Sequence, residues 1–205
     1  CIPLYIHGKG GHLVWDARVR KRTGTSPTMP LSRSEMRTNL ALEAFVCNDA
    51  VVQSALPQIL NIPSRCISED DCRELQDQMP KQLLILRRAK AWMNEKLMLE
   101  VIELLAHRIA HLHMGREWIL YADAFQAHLT SKVLRSIGRR GFRYCSIPTG
   151  LTWALQPCDT HLFGSFKHWL RCEMQVQELR VPPHPSRLIC AVTAVGLVVE
   201  RRLQG

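Results

Sequence analysis

The chain has 205 residues, a net charge of +9 and a pI near 9.4. A hydrophobic fraction of 46% beside 22% charged residues supports a buried core and excludes wholesale disorder, and the length suits one domain or one domain with appendages. The basic residues sit in runs, at Arg18 to Arg22 and at Arg135 to Arg143, so the charge favours a polyanionic partner such as nucleic acid.

Residues 1 to 16 hold short apolar pieces around Gly8-Lys9-Gly10-Gly11. No Gly-Lys-Ser/Thr follows at the phosphate-loop spacing, so the glycines read as a turn. Residues 17 to 38 are basic and rich in Ser, Thr and Pro, the composition of a loop or arm. Leu40 to Cys47 is β-compatible and Asn48-Asp49 is a turn signal. Val51 to Ile62 is a second apolar run, interrupted by Pro57, and the two runs read together as a β-hairpin. Residues 64 to 80 carry the acidic patch Glu69-Asp70-Asp71. Lys81 to Arg88 suits either a strand or a short helix.

Asn94 to Met114 is the clearest helix, with Leu97, Val101, Leu104, Leu105, Ile109 and Leu112 at helical spacing. His107 and His111 stand one turn apart on its polar face, where solvated imidazoles near a helix C-terminus are the plain reading. Gly115 ends the helix. Glu117 to Ala122 is a strand by composition. Thr130 to Arg140 is helical, with Val133, Leu134 and Ile137 on one side and arginines on the other. Phe142 to Ile147 is the next strand, Thr160 to Gln177 an aromatic-rich helix, and Val181 to Pro185 a hard break. Leu188 to Val199 is a core helix or strand, too short to span a bilayer.

Eight cysteines without any Cys-x-x-Cys argue against a zinc ribbon or a thioredoxin-like site. The chain opens on Cys1 and stops in VVERRLQG, and both ends are expected to be cuts from a longer protein.

The stretch from Trp118 to Leu170 carries the chemistry. Asp123 closes an apolar strand, and Asp159 follows the turn Gln156-Pro157, with residues 124 to 158 between them. Two carboxylates at the ends of neighbouring elements suit a hard divalent cation in phosphoryl chemistry. The alternative for Asp123 is a loop aspartate, and for Asp159 a helix N-cap.

Four features in order resemble the DDE superfamily of transposase and endonuclease catalytic domains, the pogo and Tc1/mariner-like group. They are the strand ending Asp123-Ala-Phe-Gln-Ala-His128, then Ile147-Pro148 with Thr152 and Gln156-Pro157-Cys158-Asp159, then Phe163 to Lys167, and the acid spacing. The resemblance implies an RNase H-like α/β fold, a mixed sheet flanked by helices, without a complete first strand. It divides the chain into an N-terminal remnant with a basic arm (1–38), a DDE-like core (39–178) and a Pro-rich linker with an apolar segment (179–205).

It further implies a DNA-binding polynucleotidyl transferase or endonuclease in which Asp123 and Asp159 hold Mg²⁺ or Mn²⁺. His128, Thr152 and Gln156 would support the motif, and Arg135, Arg139, Arg140, Lys167 and Arg171 would contact DNA. The family's first acid has no clear counterpart: it lies before Cys1, has been lost, or is Asp16. A catalytically inactive DNA-binding relative is therefore the alternative, and a basic structural domain the third reading. A possible homodimer and a nuclear location follow from the resemblance alone, and no membrane role is expected.

Overall fold

The computed structural model describes residues 2–5, 39–90, 93–112, 117–180 and 187–202. Asp16, the arm at 17–38, the Gly8–Gly11 turn, Gly115 and the break at 181–185 lie outside the described residues, as do the side chains of Thr152 and Asp159.

Strands β1 (Ile2–Tyr5), β2 (Asn39–Glu43), β3 (Gln58–Pro63) and β4 (Leu83–Arg88) form a sheet in that order. The first three are antiparallel, and β4 runs parallel to β3. Strands β5 (Trp118–Asp123) and β6 (Phe142–Ile147) form a separate parallel pair. The expected mixed α/β architecture is present in this coarse form.

Several elements differ from the sequence reading. The hairpin exists as a β2–β3 pair, but its connection contains helix α1 (Ala50–Ala55). Asp49 is the reason: its carboxylate accepts the amides of Val51 and Val52, converting a turn signal into an N-cap. The acidic patch forms α2 (Glu69–Asp77). Ser68 caps it, and Glu69, Asp70 and Asp71 fill the first turn, where the helix dipole favours negative charge. Segment 83–88 resolves as a strand because β3 offers it a parallel edge, with six residue pairs in register from Gln58–Leu83 to Pro63–Arg88.

Alternation along the strands sorts the core into two sides. Leu40, Leu42, Leu60, Ile62, Leu83 and Ile85 face one way. They pack against α2, α6 (Phe163–Arg180) and α7 (Arg187–Arg202). Phe166 is fully buried there, and Val192, Val195 and Val199 bring the C-terminal helix into the same core. Residues one step out of phase, Ile59 and Asn61, face the other way. Ile59 meets Leu97 and Val101 of α3 (Glu95–Ile109).

Helix α3 bridges the two sheets. Its neighbouring stripe of Met98, Ile102, Leu105 and Ile109 packs with Val133 and Ile137 of α4 (Ser131–Arg139) and Phe142 of β6. The helical stripe read from sequence is present, but Leu134 is exposed rather than buried. Arg88 pairs with Glu100, tying β4 to α3. No described helix is long and apolar enough to cross a membrane.

Candidate active site

Asp123 is the last residue of β5, and its register partner is Ile147, the last residue of β6. The strands are parallel, so the loops after both leave from one end of the pair. In open α/β sheets this carboxyl end of the strands is where functional loops gather.

A single turn of 3-10 helix (Gln126–His128) then folds His128 back onto Asp123. The imidazole Nδ1 lies 2.9 Å from Asp123 Oδ1 and 3.3 Å from the Asp123 carbonyl oxygen. Both neighbours are acceptors, so Nδ1 carries the hydrogen. The Phe125 amide donates to the same Oδ1 at 3.4 Å, and the Tyr144 hydroxyl donates to the Asp123 carbonyl at 3.2 Å. Phe125 also meets His128 edge-on, with ring centroids 5.5 Å apart.

The His128 hydrogen bond, aided by its charge and by the Phe125 amide, holds the Asp123 carboxyl below its ordinary range against the opposing effect of burial. The group is therefore ionised at neutral pH. All its side-chain bonds fall on Oδ1, and no described residue bonds Oδ2. Asp123 is thus more than a loop aspartate: it is a clamped carboxylate with one open oxygen.

After β6 the chain turns through Pro148-Thr149-Gly150, with Gly150 at φ 87°, a left-handed conformation that suits glycine. Thr152 opens a short helix, α5 (Thr152–Leu155). Asp159 lies inside a π-helical turn (Cys158–Leu162) that runs into α6. The N-cap position of that turn is Pro157, so the N-cap alternative for Asp159 is not what the backbone shows. π-turns occur often at functional sites.

Two contacts anchor the turn. Thr160 bonds the Gln156 carbonyl through its amide at 3.0 Å and its hydroxyl at 3.1 Å. Cys158 Sγ lies 3.9 Å from the carbonyl oxygen of Ala44, just past β2. Gln156 Oε1 is buried with no hydrogen-bond partner among the described residues.

Sequence reasoning missed Glu43 and Asn61. Both are buried on the α3-facing side of the sheet, and Asn61 Nδ2 donates to Glu43 Oε1 at 2.9 Å. Burial raises the Glu43 carboxyl from 4.5 to about 7, against the opposing field of His128 and the Asn61 hydrogen bond. The alternation Leu40, Leu42 in and Ala41, Glu43 out was the available signal: it puts Glu43 on the opposite face from the leucines, but a second buried face was not evident.

The basic residues are exposed on two helices. Lys132, Arg135, Arg139 and Arg140 line a cleft of about 350 Å³ between α3 and α4, with Leu99, Glu103 and Ser136. Arg140 pairs with Glu103 at 2.8 Å and Lys132 with Glu95 at 3.2 Å. Arg139 has no ion-pair partner among the described residues. Lys167 and Arg171 are exposed on α6. His107 and His111 are exposed, and no group of three or more metal-ligating side chains occurs among the described residues.

The family model described as DDE superfamily endonuclease matches residues 70–194. The chain belongs to the DDE superfamily of endonucleases. The match includes both Asp123 and Asp159 and extends into the first half of α7. A nuclease family implies a DNA substrate, and DDE-type nuclease domains generally use divalent metals. Neither the curated proteins nor the solved structures give a match to this chain.

Proposed function

We propose that this DDE domain binds DNA and cuts and joins phosphodiester bonds as part of a transposable-element transposase, using Mg²⁺ or Mn²⁺ held between Asp123 and Asp159. The observation that carries the reading is the Asp123–His128 clamp at the carboxyl end of a parallel strand pair, inside the matched region. Ionised carboxylates are the right donors for a hard divalent cation. Asp123 offers one open oxygen, and the connection that leads to Asp159 leaves from the same end of the strand pair. A bound cation would polarise the scissile phosphate and lower the pKa of an attacking water. His128 fixes the Asp123 rotamer and keeps it charged.

The α4 arginines Arg135, Arg139 and Arg140, with Lys167 and Arg171, supply phosphate contacts, which give affinity and register without reading sequence. Asp16 remains the candidate for the first acid within this chain. A homodimer and a nuclear location are further proposals from the family resemblance.

The second reading is a DNA-binding domain without catalysis. It holds if the family's first acid has been lost. Plasmid nicking in Mg²⁺ or Mn²⁺ separates the two. The catalytic reading expects nicking by the chain that is lost in Asp123→Asn and in Asp159→Asn, with DNA binding retained. Salt-sensitive DNA binding without any nicking, both in this chain and in one extended upstream of Cys1, selects the second reading. Absence of DNA binding at low salt refutes both.

A further inference from the structure

The exposed Phe, Tyr and Trp side chains among the described residues belong to strand β5 and to the connections that leave the carboxyl ends of β5 and β6. Tyr121 is 59% exposed, Phe125 48% and Trp153 74%. Tyr121 shares the Asp123 face of β5, two residues before it. Phe125 follows Asp123 by two residues and leans its edge on His128. Trp153 stands on α5, in the connection from β6 to the Asp159 turn, flanked by exposed Leu151 and Leu155. Because β5 and β6 end in register at Asp123 and Ile147, the loops carrying Phe125 and Trp153 rise from the same end.

An indole left three-quarters uncovered forgoes the burial that Trp ordinarily obtains. Three exposed rings on strand β5 and on the connections leaving one strand end suit a flat, π-faced occupant. The electrostatics select its class. Lys132 and Arg135 are exposed on the first turns of α4, which starts three residues after His128, and the whole chain carries +9. Cationic side chains beside exposed rings are the pattern by which proteins hold unpaired strands: phosphates on the charges, bases on the rings.

We infer that the rim formed by Tyr121, Phe125 and Trp153 is a stacking site for unpaired nucleobases at the DNA end on which the domain acts, with Trp153 as its main platform. The inference rests on the proposed DNA function and adds to it the preferred substrate form, an end with unpaired bases over a fully paired one. A base stacked on Trp153 would hold the neighbouring phosphodiester near Asp123, and it would do so without reading sequence, since every base has a π-face.

The test compares two labelled duplexes of equal paired length by fluorescence anisotropy, one blunt and one with a three-nucleotide unpaired tail. The full chain is used without divalent metal, so the readout is binding alone. The parent chain is expected to favour the tailed duplex. Trp153→Ala should weaken binding to the tailed duplex by roughly 5- to 100-fold and leave the blunt duplex unchanged, and Trp153→Phe should keep most of the preference. Trp153 is exposed, so neither variant disturbs the core, and circular dichroism verifies this.

An unchanged tailed affinity in Trp153→Ala, or equal losses on both duplexes, overturns the inference. So does a parent that binds both duplexes alike, in which case the DNA-binding proposal stands. No binding to either duplex refutes the DNA proposal itself. A concentration-dependent dimer abolished by Trp153→Ala, with tail preference intact, reassigns the rim to a contact between copies and overturns the stacking site.

Discussion

Replacing Glu43 by Gln should stabilise the domain, increasingly so as pH rises. Glu43 is 4% exposed, and burial lifts its carboxyl from 4.5 to about 7. An acid raised in the folded state is stabilising in its protonated form. Its contribution is complete below the unfolded value, is lost as pH rises through about 7, and is a constant penalty above that. At about 1.4 kcal/mol per pH unit, the penalty at pH near 8 comes to about 3 kcal/mol. Gln is neutral throughout and nearly the same shape.

A local feature points the same way. Asn61 Oδ1 is buried without a donor among the described residues, while Asn61 Nδ2 bonds Glu43 Oε1. A protonated Glu43, or the Gln amide, would supply that donor. The field of His128 pulls toward the ionised form of Glu43, which trims the effect. Urea denaturation of both proteins at pH near 5, 6, 7 and 8 measures the difference, and other titrating groups cancel. The gap in stability should widen from about 1 kcal/mol or less to about 3 kcal/mol, a midpoint difference of about 1–3 M urea at the alkaline end. Stability curves for the two proteins that run parallel across this range would refute the reasoning.

Phe166 is 0% exposed between α6 and the four-stranded sheet, so Phe166→Ala should cost about 3–5 kcal/mol in a denaturant titration. His128→Ala removes the main cause of the depressed Asp123 carboxyl. That depression stabilises the fold above the unfolded carboxylate value and is lost as pH falls through the folded one. The parent's advantage over His128→Ala should therefore shrink on acidification, and the Asp123 carboxyl titration followed by NMR should move up. Removing two phosphate contacts in the Arg135→Gln, Arg139→Gln double variant should lower the salt dependence of DNA binding by about 2 in log–log slope.

The two acids were legible in the sequence because each stands in a local pattern: an apolar strand ending in Asp, and a Gln-Pro turn before Asp. Helix α3 was legible because its periodicity runs for fifteen residues. The π-turn at Asp159 was not, since a helix start and an N-cap carry the same local signal as the turn that formed. Strand β4 could not be separated from a helix because its apolar run is short, and the parallel edge of β3 that decides it is twenty-five residues away. Helix α1 was missed because Val51 and Val52 are β-favouring residues, and the two amides bonded by Asp49 outweigh that preference. The buried Glu43–Asn61 pair depends on two strands and a helix meeting, which no local pattern encodes.

The central claim is that Asp123 and Asp159 share one divalent cation. Iron(II) occupies hard-oxygen sites and, with ascorbate and peroxide, cuts polypeptide close to where it binds. Loaded with iron(II), the chain should be cleaved near residue 123 and near residue 159, and both cuts should fade when excess Mg²⁺ is added. Asp123→Asn should abolish both together. Cleavage elsewhere, or a cut near residue 159 that survives in Asp123→Asn, would contradict a shared site.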